Sequence, residues 1–209
     1  MIKILIADDH AIVRHGLKQL VDAELGMTTA GEAQNGNEVL EMVRSTPVDV
    51  VLLDITMPGR NGLETLKELK RQYPNISVIV LSMHPKDQYA VRVLRAGASG
   101  YITKESAPEE LIHAIKKAHA GEKFISPEIA ELLAEYLERG ATGEPHRILS
   151  DREFEVFKKL AEGKTVTQIA KELFLSVKTV STYRTRVIEK TGLASNDAIV
   201  QYCRDHKIV

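Results

Sequence analysis

Five short apolar runs, each followed by a longer amphipathic stretch, fill the first 120 residues, and no other property of this chain restricts its fold as tightly. The runs lie at 2–7, 28–33, 48–53, 76–81 and 99–103, and the intervening stretches predict helices at 11–24, 36–45, 62–72, 86–96 and 108–120. Strands that alternate with helices in this way pair in parallel, because each helix carries the chain back to the edge it left. A parallel sheet is covered on both faces. That is why Val48-Asp49-Val50-Val51-Leu52-Leu53 is almost continuously apolar instead of alternating.

The expectation is an α/β fold, a flavodoxin-like five-stranded parallel sheet with strand order 2-1-3-4-5. After Gly121 the rhythm stops. Ser126 reads as the N-cap and Pro127 as the first residue of a helix that runs to about Arg139. Gly140-Ala141-Thr142-Gly143-Glu144-Pro145 then reads as a flexible linker. From Ile148 onward only helices are expected, at 151–162, 166–173, 177–191 and 196–206. The chain thus divides into an α/β domain at 1–121, a connector with one helix at 122–147, and a small all-α domain at 148–209.

The formal net charge of -1 is unevenly spread. Residues 1–125 carry 15 basic and 16 acidic side chains, residues 126–146 carry 1 and 5, and residues 147–209 carry 12 and 8. A basic C-terminal segment behind an acidic connector suggests a nucleic-acid-binding module. The single cysteine, Cys203, excludes an internal disulfide and fits a reducing cytoplasm; packing is the better reading of it. No apolar run approaches the ~20 residues needed to span a bilayer, and no secretory signal is visible.

Chemistry is concentrated at strand ends. Asp54 closes the third run, Asp8-Asp9 closes the first, Ser82 follows the fourth and Lys104 the fifth. In the expected topology the crevice lies at the carboxyl ends of strands 1 and 3, so three carboxylates meet there. They would repel one another unless a hard cation joins them, and Mg²⁺ prefers such oxygen ligands. Lys104 and Ser82 add an ammonium and a hydroxyl suited to an anion formed on Asp54. Asp8 and Asp9 could instead only cap the helix near Ala11, and Lys104 could be a solvated surface lysine. Five strand-end residues facing one crevice favour a site. Neither a Gly-x-Gly-x-x-Gly nor a Gly-Lys-Ser/Thr loop is present, so nucleotide binding of those kinds has no support.

Ile6-Ala7-Asp8-Asp9-His10, Leu53-Asp54-Ile55-Thr56-Met57-Pro58-Gly59, Leu81-Ser82 and Tyr101-Ile102-Thr103-Lys104 occur in that order and resemble the receiver domain of two-component response regulators. The resemblance covers residues 1 to about 120. It implies that Asp54 accepts a phosphoryl group from a sensor histidine kinase or a small acyl phosphate. It further implies that Asp9, Asp54 and the Thr56 carbonyl ligate Mg²⁺, with Asp8 acting through water. Ser82 and Tyr101 would be the switch pair: the hydroxyl turns toward the phosphoryl group and the ring follows inward. Many receivers place proline after the lysine, whereas here Lys104 precedes Glu105. Thr56 and His84 occupy the positions that tune dephosphorylation in receivers, and His84 would either position the attacking water or shield the site.

In the helical half, Ile169, Ala170 and Leu173 mark one apolar face, and Val177, Val180 and Val187 mark another after a short turn. This is a helix-turn-helix pattern. With Leu149-Ser150-Asp151-Arg152-Glu153 ahead and Lys190-Thr191-Gly192-Leu193 behind, it resembles the LuxR-type DNA-binding domain, and the whole chain is similar to the NarL/FixJ group of regulators. The resemblance implies that Ser181, Thr182 and Thr185 face base edges, while Lys178, Thr179, Tyr183 and Arg184 lie near phosphates. Short hydroxyl side chains are weak base readers, so DNA shape and paired half-sites are expected to carry much of the specificity.

The expected function is a phosphorylation-switched, DNA-binding transcriptional regulator in the cytoplasm, with a histidine kinase and double-stranded DNA as partners, a homodimer when active and no membrane. Its only enzymatic chemistry would be phosphoryl transfer to, and hydrolysis from, Asp54. Two rivals stand beside it. A Mg²⁺-dependent phosphatase would need a covering cap, and no insertion near Asp54 supplies one. A regulator active without phosphorylation would bind DNA equally well as Asp54→Asn.

Overall fold

The computed structural model describes residues 1–83, 88–139, 144–206 and 208, apart from the side chains of 88, 107, 135 and 137–139. His84 and the first four residues of the expected linker, 140–143, lie outside the described residues. The described chain forms two compact units, Met1–Leu132 and Leu133–Val209.

The first unit alternates β1 (Ile2–Ala7), α1 (Ala11–Ala23), β2 (Met27–Ala33), α2 (Gly36–Ser45), β3 (Val50–Asp54), α3 (Gly62–Gln72), β4 (Ser77–Ser82), α4 (Gln88–Arg95), β5 (Gly100–Thr103) and α5 (Ala107–His119). The five strands form one parallel sheet in the order β2-β1-β3-β4-β5, the flavodoxin-like order expected from the βα rhythm. Helix starts follow local chemistry. The Asn35 side chain accepts from Asn37 N and Glu38 N to open α2, and the Asn61 side chain accepts from Glu64 N to open α3. The weakly apolar β2 carries the one irregularity, a register shift opposite Ile4 and Leu5.

Alternate strand residues are buried on both faces of the sheet. Ile4, Ile6, Val50, Leu52, Ile79, Leu81 and Ile102 form one core with Leu17 and Val21 of α1 and Leu111, Ala114, Ile115 and Ala118 of α5. The other set, Leu5, Ala7, Val51, Leu53, Val78, Val80 and Tyr101, is equally inaccessible. Burial on both faces leaves only the strand ends open to solvent, which puts the polar residues there.

After α6 (Pro127–Arg139) and a 3-10 turn (Pro145–Ile148), the second unit packs α7 (Asp151–Ala161), α8 (Val166–Glu172), α9 (Val177–Thr191) and α10 (Asn196–Asp205). Phe154, Phe157, Leu160, Ile169, Val180, Val187, Ile199 and Cys203 make its core. Burial pushes the Cys203 thiol up to about 12, as expected of a packing cysteine. Two reciprocal capping boxes, Ser150 with Glu153 and Thr165 with Gln168, start α7 and α8. Glu153 also meets Lys190 at 2.6 Å, which ties the start of α7 to the end of α9.

The α8–α9 turn departs from expectation. Val177 is 48 % exposed, because it is the first residue of α9 and falls off the Val180–Val187 stripe. Phe174 sits in the left-handed region with φ 55 and is 69 % exposed. That conformation costs a bulky L-residue about 1 kcal/mol, whereas asparagine adopts it readily. Phe174→Asn is therefore expected to stabilise the second unit by about 0.5–1 kcal/mol. The check is the midpoint of thermal unfolding; a lower midpoint would mean the ring contributes packing that its exposure hides.

Candidate functional site

Register assembles the crevice. Ala7 pairs with Leu53, Asp54 with Leu81, and Ser82 with Thr103, so Asp8, Asp54, Ser82 and Lys104 finish at one level of the sheet. The Lys104 backbone N–H donates to the Ser82 carbonyl at 2.8 Å, extending β5 by one contact. Where many receivers place proline, Thr103 Oγ1 accepts from Ser106 N at 3.2 Å and closes the turn around Lys104.

Lys104 Nζ donates to Asp54 Oδ2 at 2.9 Å and lies 2.6 Å from Asp8 Oδ2. All three are buried: Asp8 is 0 % exposed, Asp54 2 % and the Lys104 side chain 8 %. Thr56 enters through its backbone, whose N–H donates to Asp54 Oδ1 at 3.1 Å. Burial is the main force on Asp54; it outweighs the pull of Lys104 and, with repulsion from Asp8, pushes the carboxyl up from 3.8 to about 6. Burial alone would lower Lys104, but Asp54 and Asp8 outweigh it and hold the ammonium above its ordinary value. Among the described residues one ammonium, that of Lys104, thus serves the two carboxylates, which leaves an excess of negative charge.

That excess fits a metal. Donor atoms of Asp8, Asp9, His10 and Asp54 all lie within 4.8 Å of one another. The set is rich in hard oxygen, as Mg²⁺ prefers. Asp8 Oδ2 accepts no hydrogen bond, since Lys104 approaches it off the hydrogen-bonding direction. Its neighbouring positive charge is the Lys104 ammonium at 2.6 Å, which it shares with Asp54.

Two residues here escaped the sequence reading. His10 Nδ1 lies 2.8 Å from Asp9 Oδ1 and 3.2 Å from Asp8 Oδ1; its place directly after the acidic pair was the available signal. Arg14 is buried in α1 and donates from Nη1 to the Asp8 carbonyl at 2.8 Å, with Glu32 3.6 Å from its Nε. A charge on the Arg14-Leu17-Val21 stripe of α1 could have flagged it. Of the expected switch pair, Ser82 is 0 % and Tyr101 1 % exposed, so the ring already occupies the inward position.

Gly62 keeps α3 against this loop. A Cβ there would stand 2.2 Å from the Asp54 carbonyl oxygen and 2.6 Å from Ile55 Cα, both backbone atoms that cannot turn aside. Gly62→Ala is expected to destabilise the first unit by about 2–3 kcal/mol and to lower phosphoryl uptake at Asp54 with it. Denaturant midpoints and labelling measured on the same sample would check both, and an unchanged midpoint would refute the close-packing argument.

In the second unit, Lys178, Ser181, Thr182 and Thr185 are exposed on the side of α9 opposite the buried Val180 and Val187. Thr179, Tyr183 and Arg184 are half-buried at its flanks, and Arg184 Nε donates to Asn196 Oδ1 at 3.1 Å. Ser176 caps the helix by accepting from Thr179 N.

Comparison with known proteins covers both units. The model of the response regulator receiver domain matches residues 4–116, and that of the bacterial regulatory proteins of the luxR family matches residues 147–203. The response regulator GacA of Pseudomonas aeruginosa is 37% identical over 210 residues, covering 100% of this chain and 98% of its own. RcsB from Salmonella enterica serovar Typhimurium, bound to promoter rprA with phosphomimetic BeF3-, superposes with TM-score 0.68 at 30% identity, over 96% of this chain and 97% of RcsB. A structure of two RcsB dimers bound to two parallel DNAs gives TM-score 0.62 at 30% identity, over 97% and 98%.

Proposed function

Because the chain belongs to the response regulators that join a receiver domain to a LuxR-type DNA-binding domain, we propose that Asp54 is the phosphoryl acceptor through which a sensor histidine kinase controls its binding to DNA. The observation that carries this reading is the buried Asp8–Lys104–Asp54 arrangement at the carboxyl ends of β1, β3 and β5 of one sheet. Asp8, Asp9, Asp54 and the Thr56 carbonyl would hold Mg²⁺. Once bound, the ion supplies positive charge to the phosphoryl oxygens.

The residues divide the remaining work. Asp54 ionises near neutral pH, and its carboxylate attacks phosphorus while the bond to the donor breaks. Phosphorylation adds about -1.5 to -2 charges, and Lys104, already beside Oδ2, turns from the carboxylate to the new oxygens. Ser82 donates to the same group, and Tyr101 packs beneath it. Lys178, Thr179, Tyr183 and Arg184 meet phosphates, and Ser181, Thr182 and Thr185 meet bases. A shift from mostly off to mostly on needs a differential of ~5.5 kcal/mol, more than one hydrogen bond supplies. Homodimerisation on paired half-sites would share it, a reading supported by the RcsB dimers on DNA. Beyond transfer to and from Asp54, no enzymatic role is proposed. Among the described residues no helix is long and apolar enough to cross a membrane.

The test is incubation of the full chain with radiolabelled acetyl phosphate and Mg²⁺, followed by gel filtration and footprinting on genomic fragments. Label retained by the wild type and lost in Asp54→Ala, together with stronger footprints, is the expected result. Rapid turnover of many phosphoesters would instead make the crevice an enzyme's active site.

A further inference from the structure

Two hydroxyls that face outward from α9 are already engaged. Thr182 Oγ1 donates to the Lys178 carbonyl at 3.0 Å, and Thr185 Oγ1 donates to the Ser181 carbonyl at 3.1 Å. A threonine bonded back to its own helix has a settled side-chain rotamer. It shows the outside a methyl group and oxygen lone pairs, but no proton. Val177, half-exposed at the first position of α9, adds two more methyl groups at the end that would enter a groove. Arg184, half-buried at the flank, donates from Nε to Asn196. Apart from the Ser181 hydroxyl, Lys178 supplies the proton donors of this face, with Arg186 at its edge.

We infer that α9 reads thymine: Val177, Thr182 and Thr185 pack against thymine 5-methyl groups, and the threonine oxygens accept from adenine N6 of the same base pairs. The inference rests on the proposed role of α9 as recognition helix and names what that helix recognises. In the major groove a T·A pair presents a methyl group and the adenine N6 donor, which together match what a back-bonded threonine offers. A G·C pair presents guanine N7 and O6, two acceptors that would face the threonine lone pairs, and a cytosine that offers an N4 donor but no methyl for the threonine methyl to meet. Guanine is therefore disfavoured unless a threonine gives up its bond to the helix. At Val177, Thr182 and Thr185 the chemistry is apolar and accepting, where arginine or lysine at those positions would make it donating.

The probe is a duplex selected from a random-sequence library by the full chain treated with acetyl phosphate and Mg²⁺. It is then remade with deoxyuridine replacing each thymine in turn, which removes one methyl at a time. At the thymines beneath α9, affinity should fall about fourfold per methyl lost. The double variant Thr182→Ser, Thr185→Ser keeps both hydroxyls and loses both methyls, and it should no longer distinguish deoxyuridine from thymine under those two residues, while any thymine under Val177 still counts. The double variant Thr182→Val, Thr185→Val keeps the methyls and should still distinguish them, which separates a methyl contact from damage to folding. Equal affinity for every deoxyuridine duplex overturns the inference and leaves the DNA-binding reading standing. Failure to enrich any sequence overturns both.

Discussion

Replacing Asp54 with asparagine should cut retained phosphoryl label by roughly a hundredfold or more, because an amide is no nucleophile towards phosphorus, and yet make the first unit more stable. Burial, against the pull of Lys104, pushes Asp54 up from 3.8 to about 6. Below about pH 4 the folded and unfolded chains both hold the proton, and Asp54 costs nothing. As pH rises through about 6 the folded state must ionise a desolvated carboxylate, so the stability present at low pH is lost. A shift of about two units is worth about 3 kcal/mol. Since Lys104 in the variant keeps only Asp8, the net gain expected at about pH 8 is nearer 1–2 kcal/mol, falling to nothing near pH 4. Mg²⁺ should narrow the difference by stabilising the wild type alone. Denaturation at the two pH values, with and without Mg²⁺, measures all of this. A variant no more stable than wild type at pH 8 would show that Lys104 fully neutralises Asp54.

Lys104→Met should have the opposite sign. It removes the ammonium that contacts both Asp8 and Asp54 and leaves two buried carboxylates without it. Breaking a buried pair from one side costs about 3–5 kcal/mol, and the loss should be greatest above about pH 6, where Asp54 is ionised. Lys104→Arg keeps the charge and should recover part of the loss. Unfolding midpoints of both variants at about pH 8 and pH 4 supply the test; a deficit that did not shrink at low pH would assign Lys104 to packing instead of charge. The two substitutions together describe a site that gives up stability to hold negative charge where another charge must arrive.

Much of this site was legible in one dimension. A carboxylate closing a buried parallel strand has few structural uses, and Asp8-Asp9 and Asp54 close neighbouring strands in the flavodoxin-like order expected of this chain. Ser82 and Lys104 followed from the same rule. His10 and Arg14 did not, because they act through the backbone and through a side-chain contact set by how α1 packs on the sheet. Val177 was misread although the helix start was placed correctly: it is the first residue of α9 and lies off the buried Val180–Val187 stripe. The threonines of α9 were expected to face base edges as weak readers; their bonds to Lys178 and Ser181 depend on rotamers that residue type alone leaves open.

Sequence alone determined the two folds and the meeting of carboxylates at strand ends, and it pointed to α9 as the helix proposed to face DNA. Each follows from the periodic placement of apolar residues and from which residue ends each run, and both are local properties of the chain. Tertiary structure decided that one lysine bridges two carboxylates, that Asp8 keeps an oxygen without a hydrogen bond, that Tyr101 lies inward, and what α9 shows to a groove. Those outcomes turn on distances of about an ångström and on hydrogen-bond direction, which strand register and helix packing set between residues far apart in the chain.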